Sequence, residues 1–153
     1  MSHKKQQKVS PENYIKNFSR NLPIDKCYIN VNWQEIGLAS IIVTRLHKTG
    51  KYTIGIFLVD IFALGTKDSA YKFHIDKNEV DEIVEKANEA EMIETDYVLV
   101  HNIIYGANAF AEDNGFKFCK DFNISQYILE EDTEDIELID IEFGKDGEPF
   151  VIR

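Results

Sequence analysis

The sequence predicts an α+β fold: an antiparallel or mixed β-sheet packed against two central α-helices in a single domain. Three observations carry that expectation. The chain has 153 residues, 44% of them hydrophobic, which suits one core of useful size. Segments rich in β-branched and aromatic residues, separated by glycine turns, occupy the first half. Two segments with helical periodicity follow these strands instead of alternating with them, the order of α+β rather than parallel α/β folds. No internal repeat is present.

Residues 1–9 have no apolar pattern and read as a disordered basic arm, leaving 10–153 as the domain. Ser10-Pro11-Glu12 is a helix start, with Ser10 as cap, Pro11 at the first helical position and Glu12 at the positive helix end. Tyr14, Ile15 and Phe18 form its apolar face, and it stops before Leu22-Pro23. Residues 27–31 and 39–46 are strand-like, and 47–51, with Gly50, has the length of a hairpin connection. Residues 52–64 are apolar on both faces at their centre, as expected of an interior strand covered on both sides. Gly65-Thr66-Lys67-Asp68 breaks that strand, and 71–75 alternates as another.

The helices come next. One runs from Asp76, a capping aspartate, to about Glu91 with Val80, Ile83, Val84 and Ala87 at helical spacing. A second starts at Thr95 or Asp96 and ends at Asn114 before Gly115. Its stripe of Val100, Ile103, Ile104, Ala107, Phe110 and Ala111 follows i, i+3, i+4, i+7 and should pack on the sheet. Gly106 in mid-helix costs about 1 kcal/mol against alanine, which implies close approach of another backbone. Residues 122–131 form a short helix, 137–143 alternate as a strand, and Gly144 to Gly147 turns the chain into a terminal hairpin closed by 149–152. Pro149 belongs on an edge strand.

Net charge is −10, unevenly spread. Residues 1–26 carry six Lys/Arg against two Asp/Glu, residues 27–129 nine against fifteen, and residues 130–153 two against ten. An acidic body repels phosphate backbones, so nucleic-acid binding by the folded part is disfavoured. No apolar run approaches the roughly 20 residues that span a bilayer, and the polar start lacks the apolar centre of a secretory signal. Two cysteines, Cys27 and Cys119, are a poor disulfide framework and fit a reducing compartment. The expectation is a cytoplasmic protein without cofactor.

Asp60 is the most unusual placement. It shares a strand face with Ile54, Ile56, Leu58, Phe62 and Leu64, where a carboxylate costs free energy unless hydrogen-bonded or paired. An anchor for the 65–68 loop, or a partner of Arg45 or Lys67, is one reading; a raised-pKa acid/base or metal ligand is the other. On the second helix His101, Tyr105, Asn108 and Glu112 share one edge and could rim a groove. His101 and Glu112 lie about 16 Å apart along the axis, too far to hold one metal, and no HExxH or second Glu-x-x-His is present. No metal site is therefore assigned. Cys119, between Lys117 and Lys120, should have a somewhat lowered thiol pKa. Phosphate-loop, dinucleotide and GxSxG signatures are absent.

The run Glu130, Glu131, Asp132, Thr133, Glu134, Asp135 lacks the glycine of a calcium loop. It reads as a solvated loop or as a docking surface for a basic partner, with Glu130, Glu131, Asp132, Glu134 and Asp135 as the binding residues. Glu142 to Gly147 faintly suggests a metal-dependent nuclease, but the glycine turn accounts for it.

The segments LVDIFALGTKD (58–68), HNIIYGANAFAEDNGF (101–116), DFNISQYILEED (121–132) and LIDIEFGKDGEPFVI (138–152) together resemble a family of small bacterial proteins with no established function. A cysteine often precedes the Leu-Gly step in that pattern; Ala63 stands there in this chain. The resemblance implies one recurring domain over roughly 18–152 and supplies no activity, substrate or cofactor.

Two function classes follow. The first is a non-catalytic interaction module docking through charged and aromatic surface, since ten Phe and seven Tyr exceed what a core this size needs. The alternative is a small metal-dependent hydrolase or nuclease combining Asp60, Lys67, Asp68, His101 and Glu112. That alternative requires those groups to meet in one cleft.

Overall fold

The structure, a computed structural model, describes residues 10–151; the expected basic arm, 1–9, and Ile152, the last residue of the expected terminal hairpin, lie outside them. Helix α1 (Pro11–Phe18) begins as the sequence predicts, with the Ser10 hydroxyl accepting from the Asn13 amide at 3.2 Å. Among the described residues five strands form one antiparallel sheet, in the order β4-β3-β2-β1-β5. They are β1 (Ile24–Asn30), β2 (Leu38–Leu46), β3 (Tyr52–Asp60), β4 (Gly65–Ile75) and β5 (Met92–Thr95). With α3 (Lys77–Lys86), α4 (Tyr97–Asp113) and the short turns α2 (Trp33–Ile36) and α5 (Phe122–Ser125), the fold is α+β in one domain. None of the described helices is long and apolar enough to cross a membrane.

The period of two along the strands sends alternate residues to opposite faces. Ala39, Ile41, Val43, Phe57 and Val59 enter one core with α1, α4 and α5, while Ile42 and Ile54 face α3. The two long helices thus lie on opposite faces of the sheet, and they contribute unequally. Helix α4 buries Val100, Ile103, Ile104, Ala107 and Ala111; each fully buried aliphatic side chain of Ile or Val size contributes about 1.5–3 kcal/mol. Helix α3 buries Val80 alone.

Several boundaries differ from expectation. The strand read as 52–64 ends at Asp60, and residues 61–64 form the turn. Gly65 to Asp68, expected to break the strand, instead opens β4, paired with β3 across a register shift that leaves Lys67 without an opposite residue. The cause is Asp60: its carboxylate accepts from the amides of Phe62 at 2.9 Å and Leu64 at 3.3 Å, closing the turn four residues early. Gly65 then takes φ +68°, and a β-carbon there would lie 2.7 Å from Asn108 Oδ1.

The first long helix stops at Lys86 instead of near Glu91. Asn88 leaves it by donating from Nδ2 to Ser40 Oγ at 2.8 Å and accepting from the Ala90 amide, and β5 then pairs with β1. Helix α4 keeps its expected bounds. Phe110, expected against the sheet, is half-buried and stacks on Phe143 at 6.3 Å. What crowds Gly106 is also Phe143: a β-carbon would meet that ring at 2.5 Å, so a side chain and not a backbone explains the glycine.

Residues 137–143 form no strand. The Asn102 carboxamide donates to Glu137 O at 2.9 Å and accepts from the Ile139 amide at 3.0 Å, supplying in one side chain the rung a partner strand would give. The terminal hairpin reduces to one bridge, Lys145–Glu148. Its flanks fasten to the 61–64 turn instead, the amides of Gly144 and Phe150 donating to Ile61 O and Phe62 O at 2.9 Å each.

Candidate functional site

Two features could support function: a groove on the α3 face and a polar network under the acidic segment. The groove follows from register. Strands β2, β3 and β4 set three cross-strand rows on that face: Ser40–Leu58–Asp68, Ile42–Ile56–Ala70 and Thr44–Ile54–Lys72. Helix α3 runs toward Ser40 along the side of Tyr28, Ile42 and Met92. The sheet beyond it, over β3 and β4, is left open as a groove of about 580 Å³, within the range of ligand pockets, about 300–1,000 Å³. Ile56, Leu58 and Ala70 form the floor and Ile83 and Ala87 the helix wall. Asp68, Lys72, Glu79, Glu82 and Lys86 stand at the rim. Among the described residues none of these five enters an ion pair.

The network lies on the other face. The Tyr97 hydroxyl accepts from the Glu130 amide at 2.7 Å and lies 2.7 Å from His101 Nδ1. His101 Nε2 lies 3.1 Å from Asp132 Oδ1. Burial pushes the His101 pKa down, opposed by the Asp132 carboxylate. The same burial pushes the phenols up, Tyr105 to about 12 and Tyr97 further. Arg45, 1% exposed, donates to Ile128 O and Leu22 O at 2.6 Å each and to Glu130 Oε2 at 2.7 Å. Arg20 adds a bond to Leu129 O at 2.8 Å and stacks over Tyr127 at 5.0 Å. Two guanidinium groups therefore bind carbonyls just beyond the α5 region, at Ile128 and Leu129, where the end of a helix leaves carbonyls without intrahelical donors.

The residues singled out from the sequence do not all come together. Asp60 is 6% exposed, as its apolar face implies, but it holds the 61–64 turn and bonds neither the 65–68 loop nor Arg45 or Lys67. Lys67 and Glu112 are exposed, and Asp68 lies on the groove rim with Oδ1 accepting from the Ser69 amide. His101, expected at a groove rim, is 2% exposed beneath the acidic segment, and Asn108 is buried too. Among the described residues no three His, Cys, Asp or Glu side chains are placed to hold one metal ion. Both thiols are free. Burial pushes Cys27 up to about 12 and also raises Cys119, the reverse of the lowering its lysine neighbours implied.

The acidic run divides. Glu130 is tied to Arg45 and Asp132, itself exposed, to His101, whereas Glu131, Glu134 and Asp135 are exposed and have no ion-pair partner among the described residues. Sequence reasoning missed the groove because Ile56 and Leu58 look the same in sequence whether a helix covers them or not. It missed Tyr97, and offered Arg45 to Asp60 instead of Glu130, because their partners lie 33 and 85 residues away. Comparison with protein-family models, with curated proteins and with solved structures finds no match to this chain.

Proposed function

We propose that this chain is a non-catalytic interaction module whose working surface is the groove between α3 and the β3–β4 face. The observation that carries the reading is an apolar floor of Ile56, Leu58 and Ala70 ringed by five charged side chains without ion-pair partners among the described residues. An apolar patch with a polar rim is the usual anatomy of a docking site. The net charge of −10 favours a basic partner by steering it toward the surface. Glu131, Glu134 and Asp135 add to that field from the opposite side of the sheet, while Glu130 and Asp132 serve the fold.

A photo-crosslinking side chain placed at Ala70 tests the reading in native cells, with the same group at exposed Gln34 as the control. Adducts with a partner protein should form from position 70 and not from 34. Equal adducts from both positions, or none from position 70, would remove the groove as the working surface.

A further inference from the structure

We infer that the groove takes an amphipathic helix of two to three turns from a partner protein, with a basic flank lying along α3. The inference rests on the reading of the groove as the docking surface and adds what fills it.

Backbone chemistry favours a helix. The amides and carbonyls of β2 and β3 are taken up within the sheet, and those of the edge strand β4 that β3 does not pair lie in the sheet plane, pointing out along its edge and not onto the groove face. An extended peptide laid on the sheet face would bury its own polar backbone without partners, whereas a helix brings its hydrogen bonds with it. The dimensions agree. Asp68 and Lys72 on β4 mark the two ends of the groove, and four residues of strand span about 13 Å. That equals the rise of about nine helical residues. Helix α3 supplies a neighbour for a second helix, with Ile83 and Ala87 turned toward the vacant side. Helix beside helix on a sheet face is an ordinary layer arrangement.

Charge sets the occupant's polarity. Asp68 and Lys86 stand at the Ser40 end and Lys72 and Glu79 at the other, with Glu82 between them. Neither opposed pair closes into an ion pair. The α3 rim offers two carboxylates, Glu79 and Glu82, before its single ammonium, so lysine or arginine on the occupant's near flank is matched. A second copy of this chain would bring another −10 toward a surface already carrying that sign.

The probe is a synthetic peptide of about 15 residues, long enough to outlast fraying, with leucines at i, i+3, i+4 and i+7 and lysines on both flanks. A Glu-flanked version and a version broken by two central prolines accompany it. Amide shifts of the full chain are followed by NMR. The Lys-flanked helix should shift residues 56–58, 68–72 and 82–87, and Ala70→Arg should weaken it about tenfold by blocking the floor with like charge. Glu82→Lys, at an exposed helix position, should invert the preference between the Lys- and Glu-flanked peptides. Equal groove shifts from the proline-broken peptide would overturn the helix and leave the groove reading standing. No groove shift from any peptide, with no crosslink from position 70, would overturn both. A concentration-dependent dimer in sedimentation, lost in Ala70→Arg, would assign the groove to a second copy and overturn the partner helix.

Discussion

Tyr97 and His101, one helical turn apart, share a hydrogen bond whose direction is set by a third group. The Asp132 carboxylate can only accept, so His101 donates from Nε2 and its Nδ1 is the acceptor; the Tyr97 hydroxyl, whose oxygen accepts from the Glu130 amide, therefore donates to Nδ1, 2.7 Å away. The imidazole then carries its proton on Nε2, facing Asp132 Oδ1 at 3.1 Å. One ring thereby ties α4 to the segment that follows Leu129.

Removing the hydroxyl tests this order. Tyr97→Phe leaves the Glu130 amide and Nδ1 without partners while keeping the ring, and should cost about 1–3 kcal/mol in chemical denaturation. Imidazole nitrogen shifts should report His101 Nδ1 losing the hydroxyl from which it accepts. Unchanged stability together with unchanged ring shifts would show that the contact orders nothing.

Acid should weaken the fold through the same ring. The folded-state pKa of His101 is lowered by burial, with Asp132 opposing, and His47 is lowered by burial and by His74. An unfolded histidine takes up its proton near pH 6.5. As the pH falls below about 6.5 toward the folded pKa, the unfolded chain therefore binds more protons and stability is lost. Above that window the contribution is fully present. The stability difference between pH 7 and pH 5.5 should shrink in His101→Gln relative to the parent chain.

Within the acidic run, the cost of substitution should follow the partners. Glu131→Gln, Glu134→Gln and Asp135→Asn alter exposed side chains and should stay within about 0.5 kcal/mol of the parent. Arg45→Ala strips partners from Ile128 O in the interior and from the partly buried Leu22 O and should cost about 3 kcal/mol, the lower end for breaking a buried pair, since Glu130 can turn to water. Thermal melts of the four variants give the comparison. A loss in the exposed set equal to that of Arg45→Ala would contradict the division of the run.

What was legible in the sequence was local. Ser10, Asp76 and Gly115 mark helix ends through bonds or dihedrals within a few residues, and each stands where its residue type predicts. The α4 stripe was legible because its period outweighs its exceptions. The misses depend on distant chain. Gly37 takes φ +73° and leaves room for the Phe62 ring, which would lie 2.1 Å from a β-carbon there, and nothing near residue 37 announces that ring. Strand β5 exists because β1 offers an edge, not because its four residues alternate. Asn102 looks like a polar interruption of an apolar helix until Glu137 and Ile139 are seen bonding to it.

Asp60 joins these two kinds of information, because its burial follows from the strand pattern while its partners follow from the turn. Its two oxygens receive the amides of Phe62 and Leu64, and the same turn offers Ile61 O and Phe62 O to the amides of Gly144 and Phe150. Asp60→Asn keeps one acceptor and most of the geometry. Asp60→Ala leaves both turn amides without a side-chain acceptor and should cost about 1–3 kcal/mol. Because the turn carries the 144–150 segment, hydrogen exchange at Gly144 and Phe150 should accelerate in Asp60→Ala before the rest of the sheet loosens, a local opening of the kind that low-stability segments undergo. Crosslinking from Ala70 should persist in Asp60→Asn, since the anchor serves the turn and not the groove. Protection at Gly144 and Phe150 that survives Asp60→Ala unchanged would show that the carboxylate is not what holds the turn.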